Sequence, residues 1–152
     1  MKLYRTLFKC VRQRAKADVI QKADSILKMV SQVEELSPQT VKNYYNKLYQ
    51  KISEILEGKD IDEQRIVTES AIFAEKVAVD EETVRLRSHI SQLKSMFESD
   101  EPVGRKLDFI VQEMNREVNT IGSKAQELNI TKIVVDMKAE IEKIREQIQN
   151  IE

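Results

Sequence analysis

Residues 134–151, VVDMKAEIEKIREQIQNI, set Val134, Met137, Ile141, Ile144, Ile148 and Ile151 three and four positions apart, with charged and polar residues between them. Side chains at that spacing share one face of an α-helix but would scatter over both faces of a strand, so the stretch reads as helix. The apolar stripe is narrow, like the seam of a coiled coil, and needs a neighbouring helix to cover it. Working back toward the N-terminus, the same period returns. Val103, Leu107, Ile110, Met114, Val118, Ile121, Ala125 and Leu128 line a fifth helix, and Val79, Thr83, Leu86, Ile90, Leu93 and Phe97 a fourth. A shorter third segment, about 62–76, carries Ile66, Phe73 and Val77. Val41, Tyr45, Leu48, Ile52 and Ile55 mark the second, and Val19, Ala23, Ile26, Val30 and Val33 the first.

The breaks between these segments have their own signals. Ser37 and Pro38 read as the N-cap and first position of a new helix, Gly58 as the end of that helix, and Ser99 through Pro102 as a further break. The expected fold is therefore all-α: an elongated bundle of antiparallel helical hairpins, about six helices in all, ending in a long coiled-coil-like helix. That last helix, about twenty residues, would span roughly 30 Å, so some seam is expected to await a partner.

Composition agrees. Of 152 residues, 34% are charged and 5% aromatic, with three glycines and two prolines, which suits long helices rather than a turn-rich β fold. The length suits one domain. A net charge of −1 excludes a globally basic nucleic-acid protein, but the N-terminal stretch is different: Lys2, Arg5, Lys9, Arg12, Arg14, Lys16 and Lys22 face a lone Asp18. It reads as a solvated lead-in, residues 1–13, or as a segment suited to an anionic surface such as RNA. Cys10 is the sole cysteine, which gives no support to an oxidising compartment. Charges interrupt MKLYRTLFKCVRQR every three or four residues, too often for a membrane span or signal segment, so a cytoplasmic protein without a membrane partner is expected.

Several chemistries are excluded by the residues present. Gly104, Arg105 and Lys106 lack the earlier glycine of a phosphate loop, and one Cys with one His makes no structural zinc site. Ser88 and His89 are helix neighbours pointing about 100° apart, so they do not form a nucleophile and base pair. Carboxylates with arginines remain. On the fifth helix Arg105, Asp108, Gln112, Arg116, Asn119 and Ser123 lie opposite the seam; Lys106, Glu113, Glu117, Thr120 and Lys124 lie between ridge and seam. Glu113 and Glu117, four apart, are neighbours able to hold a hard divalent cation. On the fourth helix Glu82, Arg85 and His89 cluster at three and four spacing. The alternative is a solvated face of ordinary helix ion pairs and a structural histidine.

The string EPVGRKLDFIVQEMNREVNTIGSKA at 101–125 and IVVDMKAEIEKIREQIQNIE at 133–152 resemble the C-terminal signature of the YicC-like endoribonucleases. GRKLDF, QEMNRE, NTIGSK and EKIREQIQNIE stand in the family's order and spacing; DEQR at 62–65 and EETVRLRSHI at 81–90 also fit. The resemblance covers roughly residues 39–152 and weakens back to about Arg14, which sets a helical domain at 14–152. It implies a cytoplasmic enzyme that cuts RNA internally, needs Mg2+ or Mn2+ but no small-molecule cofactor, and assembles with copies of itself into a ring. It also implies an N-terminal β-containing domain that this chain lacks, so a C-terminal fragment or truncated relative is expected. Many members carry an Asp in a KxDIxEE pattern where this chain reads KVAVDEE with Ala78.

Under that resemblance Glu82, Glu113 and Glu117 are the expected metal ligands. Arg85 and Arg116 are expected to position phosphate and His89 to move a proton, and Arg105, Lys106, Gln112, Asn115, Asn119, Thr120, Ser123 and Lys124 to bind RNA. The competing expectation is a non-catalytic helical module for binding RNA or protein, or for oligomerisation.

Overall fold

The computed structural model describes residues 1–98, 104–125 and 127–151. The regular structure among them is α-helical: α1 (Lys2–Leu56), α2 (Glu63–Val77), α3 (Asp80–Glu98), α4 (Gly104–Lys124) and α5 (Leu128–Ile151). The break expected at Ser99 through Pro102, Val103 of the fifth seam and the side chain of Ile151 lie outside the described residues.

Among the described residues there are five helices, not six, because the break expected at Ser37 and Pro38 does not form: α1 runs straight through Pro38. Proline removes one backbone donor and crowds the preceding turn, which argues for a stop. Tertiary packing outweighs it here. Before Pro38, α1 lies on α3, where Arg87 pairs with Glu34 at 2.8 Å; after it, α1 lies on α2, where Tyr44 stacks on Phe73 with ring centroids 3.9 Å apart. Since α2 and α3 are separated only by Ala78 and Val79, both sides of the proline face one nearly continuous line of partners. A second correction concerns Leu128. It was expected in the fifth seam, but α4 ends at Lys124 and Leu128 opens α5, exposed. Glu127 starts that helix, its side chain accepting the Ile130 N–H at 3.0 Å.

Four rods result, with α2 and α3 counted as one, and each seam is closed by its neighbours. Glu34 meets Arg87 while Asp24 meets Lys94, so α1 and α3 run antiparallel. Glu82 meets Lys124 and Arg85 meets Glu117, so α3 and α4 do too. Gly122 lies against Val134, where an added Cβ would stand 3.0 Å from the valine Cγ1; α4 and α5 approach closely there. Asp18 accepts from Gln147 at 3.0 Å and brings α5 back to α1. The core inside is the set of seams already read from the sequence: Val19 to Val33, Leu86 to Phe97, Leu107 to Ile121, and Val134 to Ile148 are buried together. Each fully buried Ile or Leu contributes roughly 1.5–3 kcal/mol.

Beyond the bundle the second half of α1 and α2 form a two-helix arm. Its turn needs left-handed backbone at Glu57 (φ 47°) and Gly58 (φ 89°), and Asp62 caps α2 by accepting the Arg65 N–H at 3.3 Å. The arm's seam differs from expectation: Tyr44 packs while Ile55 is exposed. Ile66 and Ser70 are the arm's buried residues midway along α2.

Candidate functional site

The antiparallel register of α3 and α4 decides which polar residues meet. Both helices turn their seams inward, so the residues flanking those seams line a cleft where the two helices meet. Its walls are Arg85, Ser88 and His89 from α3 and Glu113, Arg116, Glu117 and Thr120 from α4, enclosing about 390 Å³. One ligating atom from each of His89, Glu113 and Glu117 lies within 4.8 Å of the others. Glu117 is buried, and His89 and Glu113 are half-buried. His89 Nδ1 is buried without a hydrogen-bond partner. An unsatisfied buried nitrogen is costly unless something else occupies it.

Cations flank this cluster. The Arg85 guanidinium lies 3.1 Å from Glu81 and 4.0 Å from Glu117, bridging the exposed and buried carboxylates. Arg116 stands on the opposite wall and also borders a second, shallower groove along the outer face of α4, with Gln112, Asn115, Asn119, Thr120 and Ser123. Arg116 and Thr120 belong to both, so cleft and groove are continuous. The groove lining carries no carboxylate. The Thr120 hydroxyl donates to the Arg116 carbonyl at 3.0 Å and the Ser123 hydroxyl to the Thr120 carbonyl at 2.8 Å, which leaves their oxygens facing outward as acceptors.

Other expected residues lie elsewhere. Glu82 stands outside the His89, Glu113 and Glu117 cluster: it is buried at the first turn of α3, where one oxygen accepts from Lys124 at 2.7 Å and the other has no partner. Lys124 also donates to the Ala78 carbonyl at 3.0 Å, pinning the α2–α3 junction to the end of α4. Burial alone would raise the Glu82 carboxyl; the Lys124 hydrogen bond, with Glu82's own backbone N–H and the charges of Lys124 and Arg85, overcomes that and holds it below its ordinary value. Arg105 and Lys106 are exposed at the start of α4, about 16 Å along the helix from Arg116. Sequence reasoning did not place Ser88 in the cleft or pair Lys124 with Glu82. Neither was accessible without the helix register.

A family model described as endoribonuclease YicC-like, C-terminal, matches residues 33–152. A protein of Clostridioides difficile (strain 630) described as a probable endoribonuclease YicC is 49% identical over 136 residues, 89% of this chain and 46% of that one. A protein of Haemophilus influenzae (strain ATCC 51907 / DSM 11121 / KW20 / Rd) with the same description is 37% identical over 136 residues, 89% of this chain and 47% of that one. The chain thus spans about half the length of the curated relatives it matches.

Proposed function

This chain belongs to the YicC-like endoribonuclease family, and on that premise we propose that it hydrolyses RNA internally in the cleft between α3 and α4, with a divalent cation held by His89, Glu113 and Glu117. The observation that carries the reading is the convergence of those three donors within 4.8 Å between two arginines. The donor set fits such an ion: two carboxylate oxygens and an imidazole suit Mn2+ better than Mg2+, which prefers oxygen alone. The unpartnered His89 Nδ1 is the kind of atom that a bound ion would satisfy. When bound, the cation would polarise a phosphoryl oxygen and lower the pKa of a water.

The chain's own residues do the rest. Arg85 and Arg116, on opposite walls, grip the scissile phosphate as bidentate donors and offset charge on its equatorial oxygens. Glu81 and Glu117 hold the Arg85 guanidinium in place. The groove along α4 offers Gln112, Asn115 and Asn119 to sugar hydroxyls and phosphates on one side of the cut, and Arg105 and Lys106 extend the contact by charge. Glu82 and Lys124 act as positioning residues, fixing the ends of α3 and α4 so that the cleft keeps its width. RNA as substrate places the work in the cytoplasm. Exposed Tyr49, Ile55, Val67 and Ile72 on the arm support self-association of the chain.

A labelled RNA incubated with the purified chain and Mn2+ tests this. Internal cuts are expected, abolished by chelator and reduced at least about a hundredfold by Glu113→Gln with RNA retention unchanged. RNA that is retained but never cut would overturn the enzyme in favour of a binding module. Cuts that persist in chelator would remove the cation from the mechanism.

A further inference from the structure

Phe109, the last residue of the GRKLDF motif, belongs neither to the bundle core nor to the metal-ligating cluster. The apolar stripe of α4, from Leu107 and Ile110 to Val118 and Ile121, turns inward and is buried. Among the described residues Phe109 is the one large apolar side chain of that helix that stands exposed, at 62%. Its place on the helix is specific. At about 100° per residue it falls midway between Arg116 and Thr120, roughly 20° from each, and those are the two residues that cleft and groove share. The line that divides groove from cleft therefore runs on through Phe109, one turn before Glu113 and roughly 10 Å along the axis from Arg116. Its neighbours at three and four positions are Arg105, Lys106, Gln112 and Glu113, so along α4 no apolar patch surrounds the ring.

We infer that Phe109 is a stacking platform for an unpaired RNA base near the scissile phosphate, so that the site cuts where the strand is free to unstack: in a loop, a bulge or a single strand. The inference rests on RNA cleavage in the cleft between α3 and α4, and adds the conformation that the substrate must have. The neighbours of the ring select its occupant. A protein surface broad enough to cover the ring would also bury Arg105, Lys106 and Gln112, each of which would then need a polar partner of its own. A nucleotide meets both needs at once, with a π-face for the ring and a phosphate for the cations. Helical side chains lean toward the helix N-terminus, which tips the ring toward the turn of Arg105. At a rise of about 3.4 Å per nucleotide, the stacked base lies within about three nucleotides of the phosphate that Arg116 grips. Inside a duplex each base is covered on both faces, so an uninterrupted stem binds by charge alone. Every base has a π-face, so the preference is for strand conformation and not for sequence.

The chain contains no tryptophan, so Phe109→Trp supplies a single fluorophore at the platform. In chelator, a single-stranded oligoribonucleotide is expected to quench the indole emission, and a blunt duplex of the same strand to leave it unchanged. Phe109→Ala is expected to weaken retention of the single strand by about five- to a hundredfold. Duplex retention, helix content and Tm stay the same in that variant, because the ring is exposed. With Mn2+, cuts in a hairpin of known stem and loop fall within about three nucleotides of an unpaired base. A duplex that quenches as strongly as the single strand, or single-strand retention that Phe109→Ala leaves intact, overturns the inference. So does a concentration-dependent blue shift of the indole without RNA, which marks a second copy as the occupant. Failure of the cleavage reading looks different: quenching by the single strand with no cuts in Mn2+ removes hydrolysis and supports the platform. Cuts whose rate and position Phe109→Ala leaves unchanged keep the enzyme and remove the platform.

Discussion

Replacing Lys124 with methionine strips the buried Glu82 carboxylate of the one side-chain hydrogen-bond partner it has among the described residues. In the native protein the Lys124 ammonium lies 2.7 Å from one Glu82 oxygen and 3.0 Å from the Ala78 carbonyl, while the other Glu82 oxygen is already buried and unpaired. Removing one member of a buried pair costs about 3–5 kcal/mol. Lys124 keeps 32% of its side-chain exposure, so water softens the loss, and about 2–3 kcal/mol is expected at pH 7, a fall in Tm of roughly 4–12 °C.

The pH dependence follows from the sign of the native shift. Glu82 is held below the ordinary 4.5, so its native contribution is present above that pH and is lost as pH falls through the lowered value. In Lys124→Met, burial dominates and lifts the carboxyl above 4.5, so the variant is penalised progressively as pH rises through and beyond that value. The gap between native protein and variant should therefore be widest near pH 7 and close on acidification below 4.5. Urea unfolding at pH 7 and pH 4, with Glu82→Leu and the double variant completing the cycle, measures it. A gap of the same size at both pH values, or a double variant no more stable than Lys124→Met, would refute the reasoning.

Pro38→Ala restores a backbone donor in the middle of α1 and should stabilise the protein by about 1–3 kcal/mol in the same assay, provided that the packing on α2 and α3 is kept. Gly122→Val pushes methyl groups into Val134 and should lower stability by about 1–3 kcal/mol, read as a lower urea midpoint. Phe73→Ala removes the stack on Tyr44 and should speed amide exchange along α2 while leaving α4 and α5 protected. Arg116→Ala should weaken RNA retention and make the slope of binding against log salt shallower by about one, whereas Glu113→Gln leaves that slope unchanged.

The core was legible because burial follows the 3.6 period so closely: every residue from Val134 through Ile148 placed in the final seam is buried, and so are Leu86, Ile90, Leu93 and Phe97. The chain's continuity at Pro38 was not legible, because the local signal for a break is real and only the shared partner line of α2 and α3 outweighs it. The candidate site was half visible. Spacing on one helix brings Glu113 beside Glu117, but whether His89 or Glu82 joins them depends on the register between helices, which no intrahelical period contains. Lys124 shows the same limit, since its distance in sequence from Glu82 gives no hint of an ion pair.

The 55 residues of α1 make a beam about 80 Å long that is shared by the bundle, the arm and the basic segment. At Pro38 the ladder loses a rung, because proline has no N–H to donate to the Glu34 carbonyl. Such a beam flexes first at that rung, and the arm tip lies about 27 Å beyond it, so a bend of roughly 10° sweeps the tip through about 5 Å. Anything gripping the tip thereby gains mechanical leverage over the angle between arm and bundle, with the two glutamates and the histidine riding undisturbed on the stationary side of the joint.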